Sequence, residues 1–308
     1  MNILIVGLGS IAQKHIEAIR RLKPSSKLYA LRSGLKGTTL EGVVSLYSMD
    51  DLKTYKFDFA IISNPTSEHK KTLEILVNFG IPLFVEKPLY HTLDIKNLVG
   101  TIVDRNIYTY VACNLRFLDA INFIKKEIVK GEKRINEVNS YCGSYLPSWR
   151  SGVNYKENYS AIPELGGGVH IDLIHEIDYL FWLFGSPLNA SNFFKSNSSL
   201  DIRSIDYANY ILEYDKFCAN VILNYYRRDA KRQLEIVFEE ETWSVDLLKN
   251  TITSSIDNTI FQSNQVIGDT YLLQMEFFIK SLKNKQKFND VEEAFNVLKI
   301  CLGNDSKR

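Results

Sequence analysis

The sequence has few cysteines, no excess of either charge and no long apolar run, and each shortage excludes a class of protein. Lys and Arg total 37 against 36 Asp and Glu, so there is no electrostatic reason to expect nucleic acid or an anionic membrane as a partner. No apolar run approaches the ~18 residues needed to cross a bilayer. We interpret the local basic group as a solvated face. Its members are Arg227, Arg228, Lys231 and Arg232.

The four cysteines are scattered, and none has the spacing of a disulfide framework or a metal site. We therefore predict buried, reduced thiols at Cys113, Cys142, Cys218 and Cys301. The first residues, MNILIVGLG, match a strand and lack the features of a secretory signal. Both observations favour a reducing, cytoplasmic location.

Over the first part of the chain, short strands that are apolar on both faces alternate with helical patterns. Such strands are typical of a parallel sheet covered by helices on both sides. We predict a doubly wound Rossmann α/β domain over residues 1–116. Its strands are expected at Asn2–Val6, Lys27–Leu31, Phe57–Ser63, Leu83–Val85 and Tyr108–Ala112, and its helices at Ser10–Leu22, Ser67–Phe79 and Leu93–Arg105.

Beyond residue 117 the pattern changes, and after Pro187 strands follow one another without intervening helices. Such strands pair antiparallel, so we predict a second, α+β domain over residues 117–308 with a mainly antiparallel open sheet. Its strands are expected at Ile135–Tyr145, Asn189–Ser196, Asp206–Tyr214, Cys218–Tyr226, Arg232–Phe238 and Trp243–Leu248. Its helices are expected at Leu118–Val129, Val169–Phe184, Asp269–Leu282 and Val291–Leu302.

A glycine-rich turn, Gly7 to Ala12, joins the first strand to the first helix. Gly7 allows a tight turn, Gly9 allows a diphosphate to approach the backbone, and Ala12 allows close helix–strand packing. The unpaired N–H groups that open the helix, at Ser10 and Ile11, suit the diphosphate. Because the turn lies inside a βαβ pattern, we predict a dinucleotide site rather than a purely structural turn.

The end of the second strand distinguishes NAD from NADP. It has no acid to accept hydrogen bonds from the ribose 2′-OH and carries Arg32 and Ser33 instead. These two residues suit a 2′-phosphate, which favours NADP. Alternatively, Arg32 stacks on the adenine or has no role, which leaves NAD open.

Glu86-Lys87-Pro88 follows a predicted buried strand, at the carboxyl end where ligands bind to an open α/β sheet. A lysine at that edge is a candidate proton donor or acceptor. The alternative is an ordinary surface lysine.

A second candidate stretch begins with the triplet Gly166–Gly168 and continues into a helical pattern. A helical projection places Asp172, His175, Glu176 and Tyr179 opposite an apolar stripe. Asp172 and His175 are three residues apart and could act on one substrate, whereas the alternative is a solvated helix face. The triplet permits close backbone approach and argues against that alternative. His170 falls with the apolar stripe and is interpreted as a core histidine, and we predict no metal.

Together these motifs resemble the glucose–fructose oxidoreductase, inositol dehydrogenase and MocA family, written Gfo/Idh/MocA. The resemblance rests on five motifs in family order. They are the Gly7 to Ala12 turn, Ser63-Asn64-Pro65-x-x-x-His69, Glu86-Lys87-Pro88, Asn114-Leu115-Arg116-Phe117, and the glycine-triplet segment with Asp172 and His175.

The resemblance implies hydride transfer between a nicotinamide and a sugar, sugar-nucleotide or cyclitol carbon that bears OH or C=O. It implies that Lys87 is the main acid/base, that His175 assists at the reacting oxygen, and that Asp172 binds or polarises the substrate. Asn64, Pro65, His69, Glu86 and Lys87 would line the cofactor, and Asn114 and Arg116 would border the substrate cleft. The stretch that contains Trp149 and Arg150 looks like a branch linked to surface-polysaccharide sugars, which adds both as substrate contacts.

Two expectations about partners accompany this interpretation, and two alternative functions stay open. A small carbohydrate is the expected substrate, and the exposed side of the second sheet is expected to form homodimers or homotetramers. One alternative function is a regulator that binds dinucleotide and sugar without chemistry. Another is a redox-neutral epimerase or glycosidase that recycles bound NAD.

Overall fold

The computed structural model describes residues 1–32 and 39–303. The chain divides into two compact units. The first contains Met1–Ala112 and Tyr271–Asn296, and the second contains Cys113–Thr270 and residues 297–303, within the described residues.

The described residues form fourteen strands and nine α-helices. The strands are β1 Asn2–Val6, β2 Lys27–Leu31, β3 Val43–Leu46, β4 Phe59–Ile62, β5 Leu83–Glu86, β6 Thr109–Ala112, β7 Ile135–Tyr145, β8 Asn189–Lys195, β9 Tyr207–Glu213, β10 Cys218–Asn224, β11 Tyr226–Phe238, β12 Thr242–Asp246, β13 Thr251–Ser254 and β14 Asn258–Gln262. The helices are α1 Ser10–Leu22, α2 Met49–Lys53, α3 His69–Leu76, α4 Lys96–Asp104, α5 Asp119–Lys130, α6 Val169–Asp172, α7 His175–Phe184, α8 Thr270–Ser281 and α9 Val291–Leu302.

The first unit contains a six-stranded parallel sheet in the order β3-β2-β1-β4-β5-β6. Val6 at the end of β1 pairs with Leu31 on one side and Ile62 on the other. The strand order therefore reverses between β1 and β4, and ligands of open α/β sheets bind outside the carboxyl ends of the strands at such a point. The predicted Rossmann sheet is confirmed.

Two short elements of this unit, β3 and α2, were not predicted from the sequence. β3 is an edge strand whose Val44 is exposed, so it lacks the continuous apolar run of a buried strand. α2 has five residues and shows no clear period, although Ser48 and Asp51 cap its start reciprocally.

Helix α8 supplies part of the core of the first unit. Its Phe278 is fully buried and lies 5.1 Å from Phe59 and 5.3 Å from Phe84, measured between ring centroids. Aromatic rings packed edge to face at such distances stabilise the interface beyond their buried area.

The second unit contains an eight-stranded sheet in the order β14-β13-β12-β11-β7-β10-β9-β8. β7 and β10 pair in parallel at its centre, and every other pair is antiparallel. The predicted mainly antiparallel sheet is confirmed. Burial alternates along β7, where Val138, Ser140 and Cys142 face the core. On other strands of the sheet, Phe193 and Ile211 are 55% and 52% exposed.

The helix predicted at Val169–Phe184 is wrong as a continuous element. Leu173 and Ile174 form a turn between α6 and α7, and Leu173 has φ −98° and ψ 27°, outside the helical region. Every residue from 167 to 180 is buried, so packing on all sides, rather than an amphipathic period, determines the local conformation.

The helical projection also misplaced Glu176 and Tyr179. The Tyr179 hydroxyl lies 2.8 Å from the Ser140 hydroxyl of β7, and Glu176 forms a buried ion pair with Arg232 of β11 at 2.9 Å. Both side chains therefore pack on the sheet. Arg232 is accordingly not part of a solvated face, which corrects that expectation.

Three of the four cysteines are buried as predicted, whereas Cys218 at the start of β10 is exposed. Burial and the nearby Glu176 carboxylate raise the pKa of the Cys142 thiol to about 12. This thiol therefore stays protonated and unreactive at neutral pH.

Candidate functional site

The glycine turn is held against the loop that follows β4. Gly7 has φ +88°, and a Cβ at this position would lie 2.8 Å from the Asn64 Cα. The Ser63 hydroxyl donates to the Val6 and Gly7 carbonyls at 3.1 and 3.2 Å. Gly7 is therefore required both by its backbone conformation and by the close approach of this loop.

The N-terminus of α1 suits an anion. Its first helical hydrogen bond runs from the Gln13 N–H to the Gly9 carbonyl at 3.2 Å. Within the described residues, no side chain caps this end, no acidic residue lies in the first turn, and no atom lies within 4 Å of a Cβ built on Gly9. Ser10 is exposed, Ile11 is half-buried and Ala12 packs in the core. The open space and the backbone N–H groups fit a dinucleotide diphosphate.

Arg32 follows β2 at the same edge of the sheet. Its backbone N–H donates to the Leu46 carbonyl at 3.0 Å, and its Nη1 lies 3.4 Å from the Ser45 hydroxyl. The half-buried guanidinium thus lies beside β3. Ser33, the other residue predicted to contact the adenosine ribose, lies outside the described residues.

Asn64 carries a buried acceptor that suits a ligand. Its Nδ2 donates to the Thr72 hydroxyl at 2.8 Å, which orients the amide. Its Oδ1 is buried and has no hydrogen-bond partner among the described residues. A buried carbonyl oxygen in this state is open to accept a hydrogen bond from water or from a bound ligand. Pro65, the next residue, is exposed.

The Glu86-Lys87-Pro88 turn begins at the last residue of β5. The buried Glu86 carboxylate lies 2.5 Å from His15 Nε2 through Oε1 and accepts the Lys87 N–H at 3.2 Å through Oε2. Lys87 is half-buried, and the Lys87–Pro88 peptide bond is cis. Both oxygens of Glu86 thus contact residues of the first unit. Lys87 is the ionisable residue that directly follows the strand.

His69 ties two loops of this edge together. Its Nε2 lies 3.0 Å from the Asn64 carbonyl, and its Nδ1 lies 3.1 Å from the Pro88 carbonyl. Burial lowers the pKa of the imidazole, which favours a neutral ring with one N–H to donate. The geometry supports a role in holding the cofactor loops rather than a direct contact with the cofactor.

The glycine triplet of the second unit approaches other backbone closely. A Cβ on Gly167 would lie 2.1 Å from the Tyr159 carbonyl oxygen, and Gly168 has φ +132°. The predicted close backbone approach is therefore present. The triplet brings α6 against the loop that contains Tyr159.

Asp172 lies at the end of α6 and His175 at the start of α7, and both are buried. The solvated-face alternative is therefore wrong. Asp172 Oδ2 accepts a 2.5 Å hydrogen bond from the Tyr225 hydroxyl. The Asp172 charge is the main cause that raises the pKa of Tyr159, whereas burial is the main cause for Tyr225. Two protonated tyrosines thus surround this carboxylate.

Trp149 and Arg150 contact the same tyrosines. The Trp149 indole N–H donates to the Ser144 hydroxyl at 2.9 Å, and its ring meets Tyr225 edge-on at 5.3 Å. The exposed Arg150 guanidinium lies 4.9 Å above the Tyr159 ring. The structure therefore places both predicted substrate residues beside the tyrosines that flank Asp172.

Asn114 and Arg116 are buried just after β6. Asn114 Nδ2 donates to the Thr270 hydroxyl at 2.7 Å. Arg116 is 1% exposed and donates to both Asp178 carboxylate oxygens, from Nε at 2.9 Å and from Nη2 at 2.7 Å. This geometry favours a supporting role for Arg116 over the substrate contact that the resemblance implied.

His170 occupies the core as the sequence indicated, with its ring 5.2 Å from the Phe194 ring. Burial lowers its pKa from 6.5 to about 4. Between these values the unfolded chain binds a proton that the folded chain does not, so the free energy of unfolding falls as the pH drops from 6.5 towards 4. The loss should reach about 3 kcal/mol.

Urea unfolding of the parent and His170→Leu proteins across this pH range tests this expectation. The variant should show a shallower fall in unfolding free energy. Equal slopes would mean that other groups cause the acid sensitivity.

Three residues of the site escaped the sequence analysis: His15, Tyr159 and Tyr225. His15 lies among the apolar positions of α1, a pattern that does signal a buried histidine, whereas nothing local marks the tyrosines. No cluster of His, Cys, Asp or Glu able to hold a metal ion occurs in residues 1–32 and 39–303. Over the same residues, no helix is long and apolar enough to cross a bilayer.

Family profiles match both units. Residues 1–111 match the NAD-binding Rossmann fold of the Gfo/Idh/MocA oxidoreductase family, and residues 126–237 match the C-terminal α/β domain of that family. No protein of curated function matches the chain in sequence.

Solved structures resemble the chain over 98% of its length. One is UDP-N-acetylglucosamine 3-dehydrogenase from Acidithiobacillus ferrooxidans, with 18% identity, 95% of that chain covered and a TM-score of 0.77. Another is levoglucosan dehydrogenase in complex with NADH and levoglucosan, with 15% identity, 95% coverage and a TM-score of 0.84. A third is myo-inositol 2-dehydrogenase from Lactobacillus plantarum, with 20% identity, 95% coverage and a TM-score of 0.78. At these identities the likeness shows the fold.

Proposed function

This chain belongs to the Gfo/Idh/MocA oxidoreductase family, and we propose that it is an NAD(P)-dependent dehydrogenase or reductase of sugar-like CH–OH or C=O groups. The observation that carries the proposal is the arrangement at the carboxyl edge of the first sheet. There the uncapped N-terminus of α1, the buried Asn64 acceptor and the Glu86-Lys87 turn follow β1, β4 and β5.

In this proposal the backbone N–H groups of the first turn of α1 bind the diphosphate, and Asn64 Oδ1 accepts a hydrogen bond from the nicotinamide ribose. When bound, the dinucleotide accepts or donates the hydride. The Lys87 amine takes the proton of the reacting hydroxyl during oxidation and returns it during reduction. This proton transfer contributes about 10²–10⁴-fold to the rate.

The second unit supplies the substrate contacts. Asp172 binds a substrate hydroxyl, His175 contacts the reacting oxygen, and Trp149 and Arg150 contact the remainder of the molecule. The relatives named above act on a UDP-sugar, an anhydrosugar and a cyclitol. A sugar, sugar-nucleotide or cyclitol derivative, with surface-polysaccharide precursors among them, is the substrate class that we propose.

NADP is the preferred cofactor, because Arg32 follows β2 where an acid would otherwise bind the ribose. Fluorescence titration with NADH and with NADPH tests this preference directly. A smaller dissociation constant for NADPH supports it, and the reverse order assigns NAD.

Absorbance at 340 nm, followed with a panel of UDP-sugars, anhydrosugars and cyclitols, tests the activity. A net absorbance change with one class supports the dehydrogenase. Product formation without an absorbance change would assign a redox-neutral reaction instead. Binding of dinucleotide and sugar without any product would assign a regulator. Mass identification of small molecules retained by the purified protein narrows the panel.

Gly9→Asp should weaken dinucleotide binding without harming the fold. Aspartate is a favoured N-cap and its charge complements the helix dipole, so the unfolding temperature should stay level or rise. The same carboxylate repels the diphosphate by about 1–4 kcal/mol at close range, so the NADH dissociation constant should rise at least about tenfold.

Gly9→Ser serves as the matched control, since it adds a neutral cap in the same open space. Its NADH affinity should fall less than that of Gly9→Asp. If Gly9→Asp binds NADH as the parent does, the diphosphate does not lie on α1.

The exposed side of the second sheet, with Phe193 and Ile211, is the proposed surface for a homodimer or homotetramer. Light scattering coupled to gel filtration should show a mass that falls in the Phe193→Lys/Ile211→Lys variant. An unchanged mass would place any assembly elsewhere.

A further inference from the structure

Helix α1 and the Lys87 turn are joined by one short chain of contacts inside the first unit. His15 lies on α1, five residues after Ser10, and is 0% exposed. Its Nε2 lies 2.5 Å from Glu86 Oε1, and Glu86 Oε2 accepts the Lys87 N–H at 3.2 Å. The path from the helix to the lysine backbone therefore contains two hydrogen bonds.

The side chains of His15 and Glu86 have little conformational freedom. The His15 ring packs edge-on against Phe84, 4.8 Å away between centroids, and lies 6.2 Å from the Tyr271 ring. Glu86 is 7% exposed, and a buried carboxylate needs hydrogen-bond donors around it. Nε2 is the atom that must donate, because a carboxylate only accepts.

The other end of the turn is held separately. His69 Nδ1 lies within hydrogen-bond distance of the Pro88 and Leu89 carbonyls, and its Nε2 faces the Asn64 carbonyl. A bond from Nδ1–H to one of these carbonyls fixes the turn to His69, at the start of α3, whereas the His15 contact fixes it to α1. Lys87 lies between the two anchors.

We propose that His15 is a positioning residue that couples dinucleotide binding on α1 to the orientation of Lys87, through its hydrogen bond to Glu86. The inference rests on the proposed function, because it assigns the dinucleotide to α1 and the proton transfer to Lys87. Without the imidazole donor, the buried Glu86 carboxylate reorients towards another donor and carries the Lys87 backbone with it.

The reactivity of the Lys87 amine tests the coupling without any sugar substrate. Acetylation by acetic anhydride is followed by mass spectrometry with and without saturating NADH, with the exposed Lys96 as internal reference. In the parent protein, NADH should slow Lys87 acetylation about tenfold, within the usual range for coupled sites. In His15→Leu most of this protection should disappear, although NADH still binds.

Two variants separate coupling from a general loss of structure. His15→Gln places an amide donor near the position of Nε2 and should restore the protection. His91→Leu removes a half-buried histidine near the same turn and should leave the protection intact. A purely structural role would lower the unfolding temperature of His15→Leu without changing the ratio of acetylation rates.

A second measurement tests the coupling even if His15→Leu fails to fold. The chain has five histidines, so long-range ¹H–¹⁵N spectra of histidine-labelled protein resolve each ring. NADH should shift the His15 Nε2–H signal, and Glu86→Gln should shift it without NADH.

The outcomes distinguish the two proposals. If parent Lys87 is protected by neither NADH nor NADPH, the proposed function fails and the coupling fails with it. If parent Lys87 is protected and His15→Leu is protected equally, the coupling alone is overturned. A His15 Nε2–H signal that shifts with neither NADH nor Glu86→Gln overturns the coupling as well.

Discussion

Lys87→Met is expected to lower kcat by about 10²–10⁴-fold, the usual contribution of a positioned acid or base. Methionine has an unbranched side chain of similar length but no group that can carry a proton. Because the diphosphate is assigned to the backbone of α1, NADH affinity should change little. Stopped-flow turnover with the best substrate of the panel and NADH fluorescence titration measure the two effects separately.

Lys87→Arg and Lys96→Met serve as controls for this experiment. Arginine keeps the positive charge but stays protonated at working pH, so it should be nearly as inactive as methionine. Lys96 is an exposed lysine at the start of α4, and its loss should leave turnover unchanged. Parent-like turnover in Lys87→Met would remove Lys87 from the chemistry. A parallel loss of NADH affinity would make it a cofactor ligand instead.

The first unit was largely predictable, because its signals are local. β1, β2 and α1 have the bounds that the sequence indicated, since apolar runs and the glycine turn mark their ends. β3 was missed because its exposed Val44 interrupts such a run. In the second unit, β13 and β14 were missed because they have only four and five residues. The break between α6 and α7 was missed for a different reason. Its residues are buried on all sides, and periodicity carries no information there.

The site itself was predictable only where a motif specifies the chemistry. The glycine turn and the Glu86-Lys87-Pro88 stretch can be recognised from the sequence alone. The Tyr225 contact with Asp172 spans 53 residues, and the His15 contact with Glu86 spans 71, so both depend on strand order and register. The family resemblance predicted Arg116 as a substrate contact, whereas its guanidinium donates to the Asp178 carboxylate.

Arg116→Ala should lower the free energy of unfolding by about 3–5 kcal/mol, the cost of leaving a buried carboxylate without its partner. Asp178 is 1% exposed and receives both hydrogen bonds of the pair, so water cannot replace the guanidinium. The Trp182 ring, 5.9 Å from the guanidinium carbon, also loses its contact. Urea unfolding at pH 7 measures the change.

The exposed pair Arg203–Glu164 is a matched control, because it is also bidentate, at 2.9 Å for both bonds. Arg203→Ala should leave the urea midpoint nearly unchanged, since solvent screens such pairs. The double variant Arg116→Met/Asp178→Leu then separates support from substrate binding. Replacing both charges with apolar side chains should recover most of the lost stability. If the double variant also recovers the parent KM, Arg116 acts through the fold. A KM that stays high in a stable protein would return Arg116 to the substrate site that the family resemblance implied.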